Sequence, residues 1–256
     1  MIEVPRIHLV VPCHTESGRI ISFLPDLCRE VTALGNVFVM VVEDGSGPEE
    51  AAKMQALIQR LRVQFPCLLP LKVLAQNVGK GGAVYAGWEE HGGADWLGFV
   101  DADGSCSPAE VGRLITLAQQ QNFRHPSELT AVFASRIKML GRKVDRLLKR
   151  HLLGRVYATL VSEMLKIPVY DSQCGLKLVP RVAYEKIADC LTIMRFAFDV
   201  ELMVALLDTG CAIREVPIDW HETPGGKVQL VRDSWRMARD VAHIRARRKV
   251  WRQGKG

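Results

Sequence analysis

Residues 96–104 read WLGFVDADG, an apolar run that passes directly into two aspartates separated by one alanine. A short, continuous apolar run bounded by turn residues is typical of a strand that is buried on both faces of a parallel sheet. The pattern predicts a strand over 96–100, with Asp101 and Asp103 in the turn that follows and Gly104 easing that turn. A pair of carboxylates at a strand end is therefore the first candidate for a functional site.

Similar apolar runs recur on both sides of this stretch and alternate with segments of helical periodicity. Strands are predicted at 7–12, 37–42, 71–75 and 129–134, and helices at 20–34, 54–61, 82–90, 108–121 and 144–165. This alternation favours an α/β fold with a mostly parallel central sheet flanked by helices. In such sheets ligands bind beyond the carboxyl ends of the strands, which is where the polar clusters of this sequence fall.

The composition supports one large α/β domain, since 48% of the 256 residues are hydrophobic. The chain has 34 Lys and Arg against 28 Asp and Glu, a net charge of +6. That excess suits an anionic substrate, a lipid headgroup surface or nucleic acid. The seven cysteines are scattered without a C-x-x-C pair, which argues against a disulfide framework or a zinc site and favours a cytoplasmic protein.

Both ends of the chain bear on membrane contact. The first apolar run is too short for a signal peptide, and no run approaches the roughly 20 apolar residues of a membrane-spanning helix, so membrane contact is expected to be peripheral. We predict a domain over 1–228 and a basic amphipathic helical tail over 229–256, in which Trp235 and Trp251 lie among Arg and Lys residues. The tail is compatible with an anionic membrane on the cytosolic face, with packing on the domain, or with a binding partner.

The Asp101-Ala102-Asp103 turn suits a divalent cation, because carboxylate oxygens are the ligands that Mg²⁺ and Mn²⁺ prefer. A cation held there would stabilise the negative charge that develops on a diphosphate leaving a sugar. An isolated D-x-D pattern is equally compatible with a turn whose carboxylates bind only backbone amides. Neighbouring motifs must decide between the two interpretations.

A glycine-rich stretch, NVGKGG at residues 77–82, lies at the predicted start of a helix. Together with Asp44, which follows another predicted strand, it indicates a nucleotide pocket where backbone amides and Lys80 meet phosphate charge. Its spacing is neither that of a P-loop nor that of the dinucleotide-binding fingerprint. By itself the stretch is also compatible with an ordinary flexible turn.

Seven segments in a characteristic order extend these motifs. They are IHLVVPCHTE (7–16), VVEDGS (41–46), NVGKGGAVYAG (77–87), VDADGS (100–105), SR (135–136), DSQCGLKLVPR (171–181) and FDVELMVALLDTGCAIREVPIDW (198–220). In this order they resemble the family 2 glycosyltransferases over about residues 7–228. Within that family the chain most resembles the dolichyl-phosphate or polyprenyl-phosphate glucosyltransferases, with the mannosyltransferases second. The resemblance implies a GT-A fold, that of the nucleotide-diphospho-sugar transferases.

The resemblance also implies roles for individual residues. The donor pocket would comprise nucleoside contacts from Pro12, Glu16 and Asp44, completed by Lys80 and Gly81, with Asp101 and Asp103 serving the sugar, the diphosphate and the metal. The segment Asp171, Gln173, Cys174, Gly175 and Lys177 matches the glucosyl branch and favours UDP-glucose. Asp199 and Glu201 would lie near the sugar and acceptor, although acids at a helix start are also common as solvated residues.

On the acceptor side we predict Arg136, Gln173 and Lys177 as phosphate contacts, with Arg136 placed directly after a predicted strand. A phosphate monoester is already anionic at about pH 7 and attacks the anomeric carbon without a general base. A hydroxyl acceptor would require a carboxylate within hydrogen-bond reach, and Asp199 is the first candidate for that base.

The sequence thus favours an inverting, metal-dependent transfer of glucose from UDP-glucose to a polyprenyl phosphate. The alternatives are GDP-mannose as donor, a glycan or small-molecule hydroxyl as acceptor, or a non-enzymatic module that binds nucleotides or nucleic acid. The last leaves Asp101 and Asp103 unexplained, because carboxylates repel phosphate unless a cation intervenes. The expected partners are therefore a nucleotide-sugar donor, a lipid-phosphate acceptor and an anionic membrane surface, with no nucleic acid.

Overall fold

The computed structural model describes residues 4–124, 129–145, 148–167, 170–223, 236 and 239–248. Its strands are β1 (Ile7–Cys13), β2 (Val37–Glu43), β3 (Lys72–Val73), β4 (Trp96–Val100), β5 (Thr130–Ser135), β6 (Val144–Asp145), β7 (Leu176–Pro180), β8 (Ala212–Pro217) and β9 (Trp220–His221). Its helices are α1 (Ser17–Leu34), α2 (Pro48–Arg62), α3 (Lys80–Glu89), α4 (Pro108–Arg124), α5 (Leu148–Leu165), α6 (Arg181–Glu185) and α7 (Phe198–Asp208). A short 3-10 turn covers Ala188–Cys190, and residues 239–248 form a C-terminal helical segment.

A seven-stranded sheet in the order β3-β2-β1-β4-β7-β5-β8 forms the centre of the described structure. Strands β1 to β4 pair in parallel, and β5 is parallel to β8. Strand β7 runs antiparallel to both of its neighbours, so that Lys177 pairs with Phe99 of β4 and with Phe133 of β5. The predicted α/β fold with a mostly parallel central sheet flanked by helices is confirmed.

Helices cover both faces of the sheet and create two apolar clusters. On one face α1, α2 and α4 bury residues such as Leu24 and Ile58 against Leu9 of β1. On the other face α3, α7 and the end of α5 pack with the C-terminal helical segment, and Val10 and Trp88 belong to this cluster. Because neighbouring residues of β1 face different clusters, every residue of the strand except His8 is apolar, as expected for a strand buried on both faces.

The predicted helix over 144–165 is wrong at its start. Val144 and Asp145 form β6, which pairs with Trp220 and His221 of β9 in a separate two-stranded sheet. The helix α5 begins only at Leu148. Pairing with a segment 76 residues later in the chain overrides the local helical pattern, and the Trp220 amide donates to the Lys143 carbonyl at 2.9 Å.

Sequence patterns also missed or overstated three strands. The strand predicted over 71–75 is limited to Lys72–Val73 at the edge of the sheet. Strand β7 was not predicted because Lys177 interrupts its apolar run. Strand β8, at the edge of the sheet opposite β3, was not predicted because Arg214 and Glu215 interrupt its apolar residues. Charged residues thus conceal one central and one edge strand.

The C-terminal helical segment packs on the domain through Val241 and Ile244, which are buried in the cluster on the α7 face. Most of the predicted tail over 229–256, including Trp235 and Trp251, lies outside the described residues, as does the predicted boundary at 228. The division into domain and tail, and the contact of the tail with a membrane, therefore stay predictions. Within the described ranges, no helix combines the length and the apolar character needed to span a membrane.

Close packing of α3 on the sheet gives a test of this fold. A Cβ atom at Gly87 would lie 2.6 Å from Val10 Cγ2 and 3.0 Å from Val42 Cγ2. We expect Gly87→Ala to lower the free energy of unfolding by about 1–3 kcal/mol, the usual cost of overpacking. Urea denaturation would measure the change.

The matched control is Gly18→Ala in the first turn of α1, where an added Cβ has no atom within 4 Å. We expect this variant to be neutral or more stable by up to about 1 kcal/mol, because alanine favours helix. Equal stability of the two variants would contradict direct contact between α3 and the sheet.

Candidate active site

The candidate site lies beyond the carboxyl ends of the parallel strands, where the ends of four strands meet. Strands β1, β2 and β4 end there, and β7 begins there because it runs in the opposite direction. The Asp101 amide donates to the Gly175 carbonyl at 2.9 Å. A Cβ atom at Gly175 would lie 2.0 Å from Asp101 Oδ2. The turn after β4 and the loop before β7 are thus in direct contact, and glycine at 175 is required for their approach.

Lys80, the first residue of α3, points to the Asp101 carboxylate. The Nζ–Oδ1 distance is 2.6 Å, and the two side chains are 19% and 27% exposed. The ammonium also lies 5.2 Å and 5.8 Å from the ring centroids of Phe99 and Phe198. Burial alone would lower the pKa of Lys80, but the charges of Asp101 and Asp199 outweigh burial and raise the pKa. The site therefore keeps a fixed positive charge beside Asp101.

A second ion pair joins Lys177 of β7 to Asp199 of α7. Its Nζ–Oδ1 distance is 2.9 Å, and Lys177 also donates to the Cys174 carbonyl at 2.7 Å. The Lys177 ammonium lies 5.4 Å from the Phe99 ring and 5.2 Å from the Phe133 ring. Burial raises the pKa of Asp199 even though Lys177 and Lys80 act to lower it. Lys177 and Asp199 thus form a buried charge pair against aromatic rings.

The interpretation of Asp199 and Glu201 as solvated acids at a helix start is wrong. They are 2% and 1% exposed. Asp199 is oriented toward Lys177, whereas Glu201 accepts hydrogen bonds from the loop that precedes α7. The first turn of α7 therefore carries two buried carboxylates with different partners.

Asp44 holds the glycine-rich turn in place. Its Oδ1 accepts from the Val78 amide at 2.8 Å, and its Oδ2 accepts from the Gly79 amide and the Asn77 side chain, both at 2.9 Å. Burial raises the pKa of Asp44, and the two backbone hydrogen bonds oppose that rise. The residue predicted to contact a nucleoside is thus bonded to the 77–79 turn, which enters α3.

The same edge holds the other predicted donor residues. Pro12 lies at the end of β1, opposite Val42 in β2. Glu16 precedes α1, where its side chain accepts from Arg19 Nη1 at 3.3 Å. Gly81 is buried in the first turn of α3 and contacts Phe198 so closely that a Cβ would lie 2.5 Å from Phe198 Cβ.

Asp101 and Asp103 offer a donor set that fits a hard divalent cation. Asp103 Oδ1 accepts from the Ser105 amide at 2.9 Å, while Oδ2 lies 3.9 Å from Arg19 Nη2. The Asp103 side chain is 29% exposed. The described residues contain no cluster of three or more His, Cys, Asp or Glu side chains arranged to hold a metal. Two partly exposed carboxylates suit Mg²⁺ or Mn²⁺, which commonly complete their coordination with phosphate oxygens and water.

The predicted acceptor residues Arg136 and Gln173 bind neighbouring protein groups. Arg136 forms two parallel hydrogen bonds of 2.7 Å to Asp171, through Nε and Nη2, and its guanidinium lies 5.1 Å from the Trp220 ring centroid. Gln173 donates from Nε2 to the Phe196 carbonyl at 3.2 Å. The Arg136 contact joins the end of β5 to the loop before β7, and the Gln173 contact joins that loop to the loop before α7. The ion pair of Lys177 with Asp199 adds a link from β7 to α7.

Sequence reasoning did not identify the aromatic rings of Phe99, Phe133 and Phe198 as site residues. The first two lie within strands predicted from their apolar character, and the pairing of both strands with β7 is what aims them at Lys177. Arg19 was also missed. Its i,i+3 spacing from Glu16 was a local signal, but its approach to Asp103 depends on the tertiary structure.

The Arg136–Asp171 pair predicts a specific response to acid. Burial would raise the pKa of Asp171, but Arg136 outweighs burial and lowers that pKa from 3.8 to about 2. A depressed pKa stabilises the folded state above the unfolded-state pKa, and this stabilisation is lost as pH falls toward the folded-state value. We expect the free energy of unfolding of the wild type to fall by about 2 kcal/mol more than that of Asp171→Asn between about pH 5 and pH 2.

Chemical denaturation at a series of pH values would measure this difference. Taking the difference between the two proteins removes the acid response of carboxylates that both retain. Parallel stability curves for wild type and Asp171→Asn over this range would contradict the depressed pKa.

Comparison with known proteins shows which family the chain is similar to. The family model described as Glycosyl transferase family 2 matches residues 8–187. The dolichyl-phosphate beta-glucosyltransferase of Saccharomyces cerevisiae is 30% identical over 246 residues, which cover 93% of this chain and 73% of the yeast protein. The Homo sapiens protein of the same name is 28% identical over 251 residues, which cover 94% of this chain and 75% of the human protein.

Solved structures show the same architecture. Glucosyl-3-phosphoglycerate synthase from Mycobacterium tuberculosis in complex with UDP has a TM-score of 0.62 at 16% identity, covering 95% of this chain and 80% of the synthase chain. Its complex with Mn²⁺, UDP and glucosyl-3-phosphoglycerate has a TM-score of 0.60 at 15% identity, covering 94% and 78%. The chain therefore belongs to glycosyl transferase family 2, and it is a glycosyltransferase with a GT-A fold.

Proposed function

We propose that this glycosyltransferase moves glucose from UDP-glucose to a polyprenyl phosphate in a reaction that uses Mg²⁺ or Mn²⁺ and inverts the anomeric carbon. The observation that carries the proposal is the 2.6 Å contact between Lys80 and Asp101, beside Asp103 at the end of β4. The names of the yeast and human relatives support glucose as the sugar and a lipid phosphate as the acceptor class.

The donor pocket in this proposal lies at the ends of β1 and β2. Pro12 and Glu16 would contact the nucleoside there, because the Asp44 amide donates to the Cys13 carbonyl at 2.7 Å and keeps the two strand ends together. Asp44 would contribute by fixing the 77–79 turn. The backbone amides of Lys80 and Gly81, in the first turn of α3, would then meet the diphosphate together with the Lys80 ammonium.

Asp101 and Asp103 would hold the divalent cation, which when bound supplies Lewis-acid stabilisation of the departing diphosphate. Asp103 is well suited to this role because its nearest cation among the described residues, Arg19, lies 3.9 Å away and is shared with Glu16. The negative charge of Asp103 is therefore only partly compensated by Arg19. Lys80 balances Asp101 in the free enzyme and lies at the entrance to α3, where it would also attract the diphosphate.

The acceptor phosphate requires no general base, because it is already anionic at about pH 7. One of its oxygens forms a bond to the anomeric carbon while the bond from that carbon to UDP breaks, and UDP leaves with the electron pair. The two bonds from Arg136 to Asp171 use Nε and Nη2, and we propose Nη1 as the contact for the acceptor phosphate. Lys177 would position Asp199 on this side of the pocket through their ion pair, and Gln173 would position the loop before α7 through its hydrogen bond to the Phe196 carbonyl.

A hydroxyl acceptor is the second candidate, and one observation favours it. Burial raises the pKa of Asp199, which is the direction that makes a carboxylate a better base. The same carboxylate binds Lys177 at 2.9 Å, so Asp199 would have to give up part of that ion pair to accept a proton.

Transfer of labelled sugar from UDP-glucose, UDP-galactose and GDP-mannose to a short polyprenyl phosphate, with and without a chelator, tests the proposal. We expect metal-dependent transfer from UDP-glucose. Asp103→Asn should reduce kcat/KM by about 100-fold or more, because it weakens the stabilisation of charge developing in the transition state. Transfer from GDP-mannose alone would contradict the donor assignment, and transfer only to hydroxyl acceptors would contradict the acceptor assignment.

The matched control for Asp103→Asn is Asp26→Asn. Asp26 lies on α1 in an exposed ion pair with Arg29, and its side chain is 60% exposed. We expect this variant to retain wild-type activity. Raising the Mn²⁺ concentration should partly restore Asp103→Asn, whereas an unchanged metal requirement in that variant would exclude Asp103 as a metal ligand.

A further inference from the structure

Two arginines attach the C-terminal helical segment to opposite ends of α7. Arg247 Nη1 donates to Glu201 Oε1 at 2.6 Å near the start of α7. Arg248 donates to Asp208, the last residue of α7, with Nη2–Oδ1 and Nε–Oδ2 distances of 2.7 Å. Adjacent residues of the C-terminal helical segment thus bind carboxylates seven residues apart on the same helix.

Glu201 connects Arg247 to the loop over 191–197. Its Oε2 accepts from the Thr192 amide at 2.8 Å and from the Ile193 amide at 2.7 Å, and its Oε1 accepts from Thr192 Oγ1 at 3.0 Å. Arg247 itself also donates to Thr192 Oγ1, and its Nη2 donates to the Cys190 carbonyl at 2.7 Å. A carboxylate that is 1% exposed requires such a cationic partner, because an unpaired buried charge is costly.

The loop over 191–197 in turn contacts the glycine-rich turn. The Gly82 amide donates to the Met194 carbonyl at 3.0 Å. A Cβ atom at Gly79 would lie 2.7 Å from the same carbonyl. The loop and the first turn of α3 therefore pack backbone to backbone, and a displacement of Met194 must displace the residues that flank Lys80.

We infer that Arg247 is a positioning residue for the nucleotide-sugar donor. Through Glu201 it fixes the loop over 191–197, and through Met194 that loop fixes the turn that carries Lys80. The inference rests on the proposed function, because it takes the turn over 77–82 to bind the donor diphosphate. It gives the C-terminal helical segment a role in the donor site, although no residue of that segment need touch the substrate.

Arg248 provides a matched control on the same helical turn. Its guanidinium binds Asp208 and the Leu165 carbonyl, at the end of α7 far from the glycine-rich turn. Replacing Arg248 by Met removes an ion pair of the same kind and should loosen the same helical segment. It should not displace Met194.

The test is calorimetric titration of UDP, in MnCl₂, into wild type, Arg247→Met, Arg247→Lys and Arg248→Met, with thermal unfolding of each. We expect Arg247→Met to raise the Kd for UDP by about 2- to 30-fold, the range for residues that act through neighbours. Arg247→Lys, which retains the charge facing Glu201, should show a smaller rise. Arg248→Met should lower Tm and leave the Kd for UDP unchanged.

A folded Arg247→Met protein with the wild-type Kd would overturn the inference, and so would an equal rise in Arg248→Met. Should Arg247→Met fail to fold, Arg247→Lys decides, since a wild-type Kd there overturns the inference and a raised Kd supports it. A parallel titration with GDP separates the two proposals. Wild type that binds GDP and not UDP contradicts the proposed donor, and the GDP constants of the variants then decide the role of Arg247.

Discussion

The ammonium of Lys177 sets the strongest constraint on this fold, because its side chain is completely buried and a buried cation must be paired. Its partners come from three directions: the carboxylate of Asp199, the carbonyl of Cys174, and the rings on the strands either side of β7. These contacts require β7 to lie between β4 and β5 and require α7 to present its first turn to the site. The position of Phe198, and with it the packing of α3, follows from the same requirement.

The sequence predicted the half of the sheet that contains β1 to β4 well, because its main strands are buried on both faces. Strands β1, β2 and β4 are apolar except for His8 and Glu43, and their parallel arrangement predicts that the polar turns after them meet. The contact of Lys80 with Asp101 is the outcome. The bonds of Asp44 to the 77–79 turn were not predictable, because they depend on how closely two loops approach in the folded chain.

The half of the sheet that contains β5, β7 and β8 was predicted less well for a related physical reason. Lys177 makes β7 look polar, and only its tertiary partners reveal that it is a central strand. The same holds for Glu201, which local sequence presents as a helix-start acid and which the fold buries under Arg247. Motif order identified the family, whereas the pairing of these charges depends on contacts between residues distant in sequence.

The strand order also dictates when each part of the sheet can form. Strands β1 to β4 lie side by side and all occur within residues 7–100, so they can assemble as that part of the chain leaves the ribosome. Strand β5 has neighbours only in β7 and β8, both of which are synthesised later. It must wait unpaired for at least 41 residues of further synthesis, from Ser135 to Leu176. During that interval the edges of β5 are exposed to other chains. We therefore expect folding of this enzyme to depend on slow release of the chain from the ribosome, or on chaperones that bind it until β7 and β8 have been synthesised.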